Sequence, residues 1–241
     1  MNNQTINNWE NDMNEKKLRE DMCEIARMMY DKKLICGPAG NISARLDNGL
    51  FLITPSIFFK QKLTPDQLII INEMGEKVGS ETPVNRDLKP TSETVMHLQS
   101  YRLRPDVMGI VHAHPSHCVA LTAAGKKVRS QVLTEAMLFL GEIGVAEYAM
   151  PTSEQLGENV AVVIKKHDCV VLPYHGVIVA GRDMWDAYAK LEVMEQAAEI
   201  CCLVESMGGE KPLATKHVED IMTLRSAWGL SVPDEKANTT C

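Results

Sequence analysis

The sequence predicts a single mixed α/β domain, and three observations carry that reading. Segments with apolar residues at helical spacing alternate along the chain with short β-rich runs. No composition break, internal repeat or low-complexity linker divides the 241 residues. Hydrophobic residues make up 45% and charged residues 24%, the usual balance for a globular chain. A chain of this length buries enough surface to fold without disulfides or metal.

The elements follow in order. Residues 1–14 are polar and Asn-rich and are expected to be disordered. Leu18, Met22, Ile25 and Met29 recur at spacings of three and four, which predicts a helix from Lys17 that stops before the helix-breaking pair Gly37-Pro38. Residues 41–46, 50–54 and 68–72 read as short strands, with a hairpin turn at 73–76. Residues 91–103 read as a helix with Thr91 or Ser92 as its cap and Glu93 in its first turn. Residues 107–111 read as a buried strand leading into His112-Ala113-His114-Pro115. Residues 154–167 carry Leu156, Val160, Val163 and Ile164 at helical spacing. Runs 169–172 and 177–180 are β-rich and flank Pro173-Tyr174-His175-Gly176. Residues 184–207 form a long helix ending at Gly208-Gly209, and a last helix spans about 216–228. The domain then occupies 15–230, with 231–241 a flexible tail.

Lys and Arg number 25 against 32 Asp and Glu, a net charge of −7. That balance argues against nucleic acid or an anionic membrane as partner. An anionic substrate would need a local site working against the overall field. The seven cysteines (23, 36, 118, 169, 201, 202 and 241) are odd in number, scattered, and contain no C-x-x-C pair. They read as reduced thiols of a cytoplasmic protein. The N-terminal stretch has no apolar core of a signal peptide, and no apolar run approaches the roughly 18 residues of a membrane span.

The sharpest chemical feature is His112-Ala113-His114. On a strand, residues two apart share a face, so both imidazoles could hold one divalent ion, at about 2.0–2.1 Å for zinc. Ordinary polar residues at a strand end are the alternative. His117 follows three residues later and reads as a helix-surface residue or one behind the site. His175, between two β-rich runs, is the candidate third ligand, although such a residue alone is more often a hydrogen-bonded core histidine. His97 and His167 are weaker candidates. Glu93 is either a glutamate favoured by the helix dipole or a carboxylate that meets the metal and moves a proton. The small-residue loop Gly37-Pro38-Ala39-Gly40-Asn41 can present N–H groups to an anion. Thr54-Pro55-Ser56 and Thr91-Ser92 add hydroxyls suited to phosphate.

These segments, together with Ile42-Ser43, Arg104-Pro105-Asp106, His117-Cys118 and His175-Gly176, occur in an order that resembles the class II aldolase/adducin family, most nearly its L-fuculose-1-phosphate aldolase branch. The resemblance covers about residues 15–230. It implies a single-domain α/β/α sandwich with a central, mostly antiparallel sheet, and a homotetramer with active sites at subunit interfaces. It places Zn2+, or Mn2+ or Co2+ in its stead, on His112, His114 and His175. Glu93 joins the resting metal and then shuttles the proton. Phosphate falls on Gly40, Asn41, Ser56, Thr91 and Ser92. The implied reaction is reversible cleavage of a phosphorylated sugar, a ketose 1-phosphate, to dihydroxyacetone phosphate and an aldehyde, with the lysines left as surface charge. Ile57 stands where those enzymes carry a glycine after the residue matching Ser56. Their C-terminal tyrosine falls on Ala227-Trp228-Gly229, and their other assisting tyrosine has no clear match in residues 131–139. An epimerase, dehydratase or decarboxylase on the same fold is the nearest alternative, followed by a non-catalytic adducin-like interaction module. A thiol function for Cys201-Cys202 is disfavoured, since neighbouring side chains on a helix diverge.

Overall fold

The computed structural model describes residues 3–79 and 81–230, with side chains from Asn14 onward. Its centre is a seven-stranded sheet in the order β3-β2-β1-β4-β7-β6-β5. The strands are β1 (Asn41–Arg45), β2 (Phe51–Ile53), β3 (Ile69–Ile71), β4 (Gly109–Ala113), β5 (Gly144–Val145), β6 (Cys169–Leu172) and β7 (Gly176–Gly181). Every neighbouring pair is antiparallel except β5–β6.

Both sheet faces are covered. Strand side chains alternate between faces, so Val111 and Ala113 of β4 enter one core while Ile110 enters the other. Helices α1 (Asn3–Asp31), α3 (Ser116–Ala123), α4 (Thr134–Leu140) and α6 (Met184–Ser206) close the first face. Met22, Ile25 and Met29 of α1 and Leu191, Met194 and Ala198 of α6 pack there against Val111, Val177 and Val179. Helices α2 (Thr94–Leu103) and α5 (Glu154–Ile164) close the second. Leu156, Val160 and Ile164 of α5 lie one turn apart and bury against Val170 and Ile178, each worth about 1.5–3 kcal/mol. Ser153 starts α5 by accepting the Leu156 N–H at 3.1 Å. Helix α7 (Thr215–Ala227) packs on α4. The result is an α/β/α sandwich.

Several boundaries differ from the sequence reading. The backbone of α1 is helical from Asn3, through the stretch expected to be disordered, because extending a formed helix adds a hydrogen bond per residue without a new nucleus. The helix ends at Asp31, and Lys33 turns left-handed with φ 59°. Strand β4 runs on to Ala113, which puts His112 inside the ladder opposite Asn41 and Ile178. Helix α4 and the two-residue β5 were not expected as elements, whereas α3 is the helix on which His117 was expected to lie. The proposed tail at 231–241 lies outside the described residues. Among those described, no helix is long and apolar enough to cross a membrane.

Candidate metal centre

His112 and Ile110 have the same parity on β4, so the His112 ring projects to the α2 side of the sheet. Its Nδ1–H donates to the Val177 carbonyl oxygen at 2.9 Å, which leaves Nε2 with its lone pair facing inward. His114 follows the end of β4, where its backbone N–H donates to Leu34 O at 3.0 Å. Its Nε2 lies 2.9 Å from His112 Nε2. His175 sits in the turn between β6 and β7, its N–H bonded to Leu172 O at 3.0 Å, just after Tyr174 at φ 60°. Gly176 makes this approach possible. A Cβ there would collide with the Ala113 carbonyl and come within 2.8 Å of His114 Cδ2. The three imidazole centroids are 4.8, 4.8 and 4.9 Å apart, and one nitrogen from each falls within 4.8 Å of the others.

Glu93 completes the cluster. It stands at the N-cap of α2 but makes no side-chain capping bond. Its carboxylate turns to the histidines, with Oε2 3.1 Å from His112 Nε2 and Oε1 3.4 Å from His175 Nε2. The sequence alternative of a dipole-favoured glutamate does not describe this geometry. Burial, and after it the neighbouring His112, pushes His114 down to about 3 and His175 down to about 4, with Glu93 offsetting part of the effect. Burial alone would raise Glu93, but the His112 ring and the Asn41 amide outweigh it and hold the carboxyl well below its usual range. The His114 and His175 rings, held neutral, together with His112 Nε2 and an ionised carboxylate are a donor set suited to zinc, and manganese or cobalt accept it as well. Glu93 Oε1 is buried with no hydrogen-bond partner, an electrostatic deficit that a cation held by the three rings would relieve.

The five residues assigned to phosphate lie on three adjoining segments. Thr91 N donates to Thr54 O at 3.1 Å and Ser56 N to Lys89 O at 2.9 Å, strapping two of them together. Gly40 belongs to the third. Its φ is 74°, and a Cβ there would sit 2.6 Å from Ile35 Cγ2 and 2.9 Å from His112 O, so glycine is required. Thr91 is buried and Ser92 exposed. The Asn41 side chain is engaged at both ends, its Nδ2 by Glu93 and its Oδ1 by His97, with the second amide hydrogen left to donate. Ile57 keeps the left-handed backbone of a glycine, at φ 49°, with 85% of its surface exposed.

Lys60 was missed in the sequence because Phe-Phe-Lys-Gln-Lys reads as surface charge. It is 3% exposed, and its Nζ donates to Pro38 O at 3.0 Å and Phe58 O at 2.8 Å, joining two of the loops. Burial pulls it down to about 8, with Glu93 acting the other way. His117 stays outside the cluster, its Nδ1 2.9 Å from Glu195 Oε1. His167 lies against Glu142 O at 3.1 Å. Of the two weaker candidates, only His97 approaches the centre, one layer behind it.

Comparison with known proteins places these features among relatives. Residues 20–202 match the family described as Class II Aldolase and Adducin N-terminal domain. An L-fuculose phosphate aldolase of Methanococcus maripaludis is 32% identical over 187 residues, covering 78% of this chain and 97% of its own. A 3-oxo-tetronate 4-phosphate decarboxylase of Escherichia coli K12 is 26% identical over 216 residues, 88% of this chain and 97% of its own. The crystal structure of a sugar-phosphate aldolase from Thermotoga maritima superposes with a TM-score of 0.68 at 26% identity, covering 83% of this chain and 99% of that one.

Proposed function

Because this chain belongs to the class II aldolase and adducin family, we propose that it is a metal-dependent aldehyde-lyase acting on a phosphorylated sugar. It reversibly cleaves a ketose 1-phosphate, L-fuculose 1-phosphate or a related deoxy-ketulose 1-phosphate, to dihydroxyacetone phosphate and an aldehyde. The observation that carries this reading is Glu93, a buried carboxylate whose two oxygens lie 3.1 and 3.4 Å from nitrogens of two clustered histidines.

A divalent ion on His112, His114 and His175, zinc or alternatively manganese or cobalt, supplies Lewis-acid polarisation of the ketose carbonyl when bound. Glu93 moves the carbon-bound proton: once a base on the aldehyde side has taken the C4 hydroxyl proton and the C3–C4 bond has broken, Glu93 delivers a proton to C3 of the enediolate, and it takes one from dihydroxyacetone phosphate in the condensation direction. The segments bearing Gly40, Asn41, Ser56, Thr91 and Ser92 hold the phosphate, so that C3 lies within reach of the carboxylate. The family's assisting tyrosine on the aldehyde side has no clear match in residues 131–139, so a different residue takes that part here. A homotetramer with sites at subunit interfaces would supply that group from a neighbour. Six described cysteines form no disulfide, which supports a cytoplasmic setting.

A decarboxylase is the second reading, favoured by the relative in E. coli that matches over nearly its whole length. Loss of carbon dioxide from a 3-oxo acid leaves an enolate that needs the same protonation, so Glu93 would keep its role. The test offers the protein L-fuculose 1-phosphate, related deoxy-ketulose 1-phosphates and 3-oxo-tetronate 4-phosphate, and measures dihydroxyacetone phosphate and carbon dioxide. The expected result is dihydroxyacetone phosphate, abolished by a chelator and restored by metal. Carbon dioxide without dihydroxyacetone phosphate would establish the second reading. Neither product, with no bound metal, would point to an adducin-like module.

A further inference from the structure

Behind Glu93 runs a buried chain of polar side chains. Asn41 Nδ2–H donates to Glu93 Oε2 at 2.8 Å, and Asn41 Oδ1 lies 2.6 Å from His97 Nε2. Across the ring, His97 Nδ1 lies 2.7 Å from Ser43 Oγ. Ser43 Oγ is 2.9 Å from the Tyr101 hydroxyl, which also donates to the Ser43 carbonyl at 2.8 Å. Asn41, Ser43, His97 and Tyr101 are all 5% exposed or less. The sequence spacing builds this arrangement. Asn41 and Ser43 are two apart on β1 and share a face, while Glu93, His97 and Tyr101 are four apart along α2 and share a stripe.

The proton order in the chain is fixed from one end. A carboxylate only accepts hydrogen bonds, so Asn41 must present its NH2 to Glu93 and its carbonyl to His97. His97 Nε2 must then carry the hydrogen, and Nδ1 accepts from the Ser43 hydroxyl. The ring is fully buried, with each nitrogen within hydrogen-bond distance of one partner, so a single tautomer satisfies both ends. The effect on Glu93 is to make its oxygens unequal. Oε2 is bound by Asn41, while Oε1 has no hydrogen bond.

We propose that Asn41 and His97 are positioning residues that clamp Glu93 through Oε2 and leave Oε1 as the oxygen that moves the substrate proton. The identity of that proton rests on the aldolase reading. The clamp itself rests on the hydrogen bonds. The Ser43 hydroxyl, donating to Nδ1, holds His97 in the tautomer the clamp needs.

The test has two arms on the metal-loaded protein. Nitrogen-15 NMR of labelled histidines should show His97 neutral with its hydrogen on Nε2; an Nδ1–H tautomer or an imidazolium overturns the clamp. The second arm compares His97→Leu with His97→Gln, whose amide nitrogen can reach the position of the ring Nε2. Exchange of a dihydroxyacetone phosphate C3 proton with solvent should slow by about 10–100-fold in His97→Leu, the usual cost of losing a partner behind a metal site. Metal content and KM should stay near wild type, and His97→Gln should recover most of the rate. Wild-type exchange in His97→Leu, or two variants equally slow, overturns the proposal. If the wild type itself exchanges no such proton, the aldolase reading fails, and the tautomer alone decides the clamp.

Discussion

His112 is where three parts of the molecule meet: β1 across one ladder, β7 across the other, and Glu93 of α2 over its ring. Metal analysis should show sharply reduced occupancy in His112→Ala, His114→Ala and His175→Ala, while His117→Ala, held by Glu195 outside the cluster, should bind metal as the wild type does. Full occupancy in the first three would remove the site. Acid should also act through these rings. His97, His114 and His175 sit at about 3, 3 and 4 in the fold and near 6.5 when unfolded. Below pH 6.5 the unfolded chain therefore binds more protons, and stability falls as pH drops toward those folded values. The Tm of chelated protein should decrease between about pH 8 and about pH 5; an unchanged or rising Tm would contradict the burial of these groups as neutral rings. The His-x-His pair was legible in the sequence because strand parity alone puts both rings on one face. The roles of Asn41 and His97 were not, since they depend on contacts 52 and 56 residues apart. Lys60 was hidden for a similar reason: its partners are the carbonyls of two loops, and carbonyls leave no mark in a sequence.

Among the elements, the β4–β7 ladder carries the site. Gly176 admits the Ala113 carbonyl and the His114 ring where a methyl group would clash. Gly176→Ala should cost about 1–3 kcal/mol, the range for overpacking, and lower metal affinity by moving His114; a denaturant midpoint and metal affinity equal to wild type would show that the close approach is dispensable. Ile57 makes the opposite case. It is a β-branched residue in a left-handed conformation, which costs about 1–2 kcal/mol, and its exposed side chain gains little by burial. Ile57→Gly should leave stability unchanged or raise it by up to about 1 kcal/mol, since glycine's larger unfolded entropy offsets part of the relief. A clear loss in the denaturant midpoint would mean that the Ile57 side chain is held by contacts. The long helices and the strands with β-rich runs could be read from periodicity, and β6 matches its expected bounds. Helix α4 and strand β5 could not. With seven and two residues, they are too short for a period to emerge and exist because the sheet and α6 offer a surface to pack on.

For the whole molecule, the α/β/α layering brings residues from four separated stretches of sequence to one end of the central strands β1, β4 and β7. Order of motifs along the chain, rather than any single motif, made this arrangement legible, since Gly37–Asn41, Glu93, His112–His114 and His175 each have an ordinary local explanation. The proposed homotetramer completes the site from a neighbouring subunit. Light scattering at micromolar concentration should give a tetrameric mass, and a fully active monomer would contradict that assembly. The account turns on a metal-site carboxylate that moves a carbon-bound proton. Its most direct test is the rate at which metal-loaded Glu93→Gln incorporates solvent deuterium at C3 of dihydroxyacetone phosphate, compared with wild type at matched metal content. Gln keeps the shape and the bond from Asn41 but cannot accept the proton, so the rate should fall by about 10²–10⁴-fold while the three histidines retain the ion. Incorporation by Glu93→Gln at the wild-type rate would contradict the account.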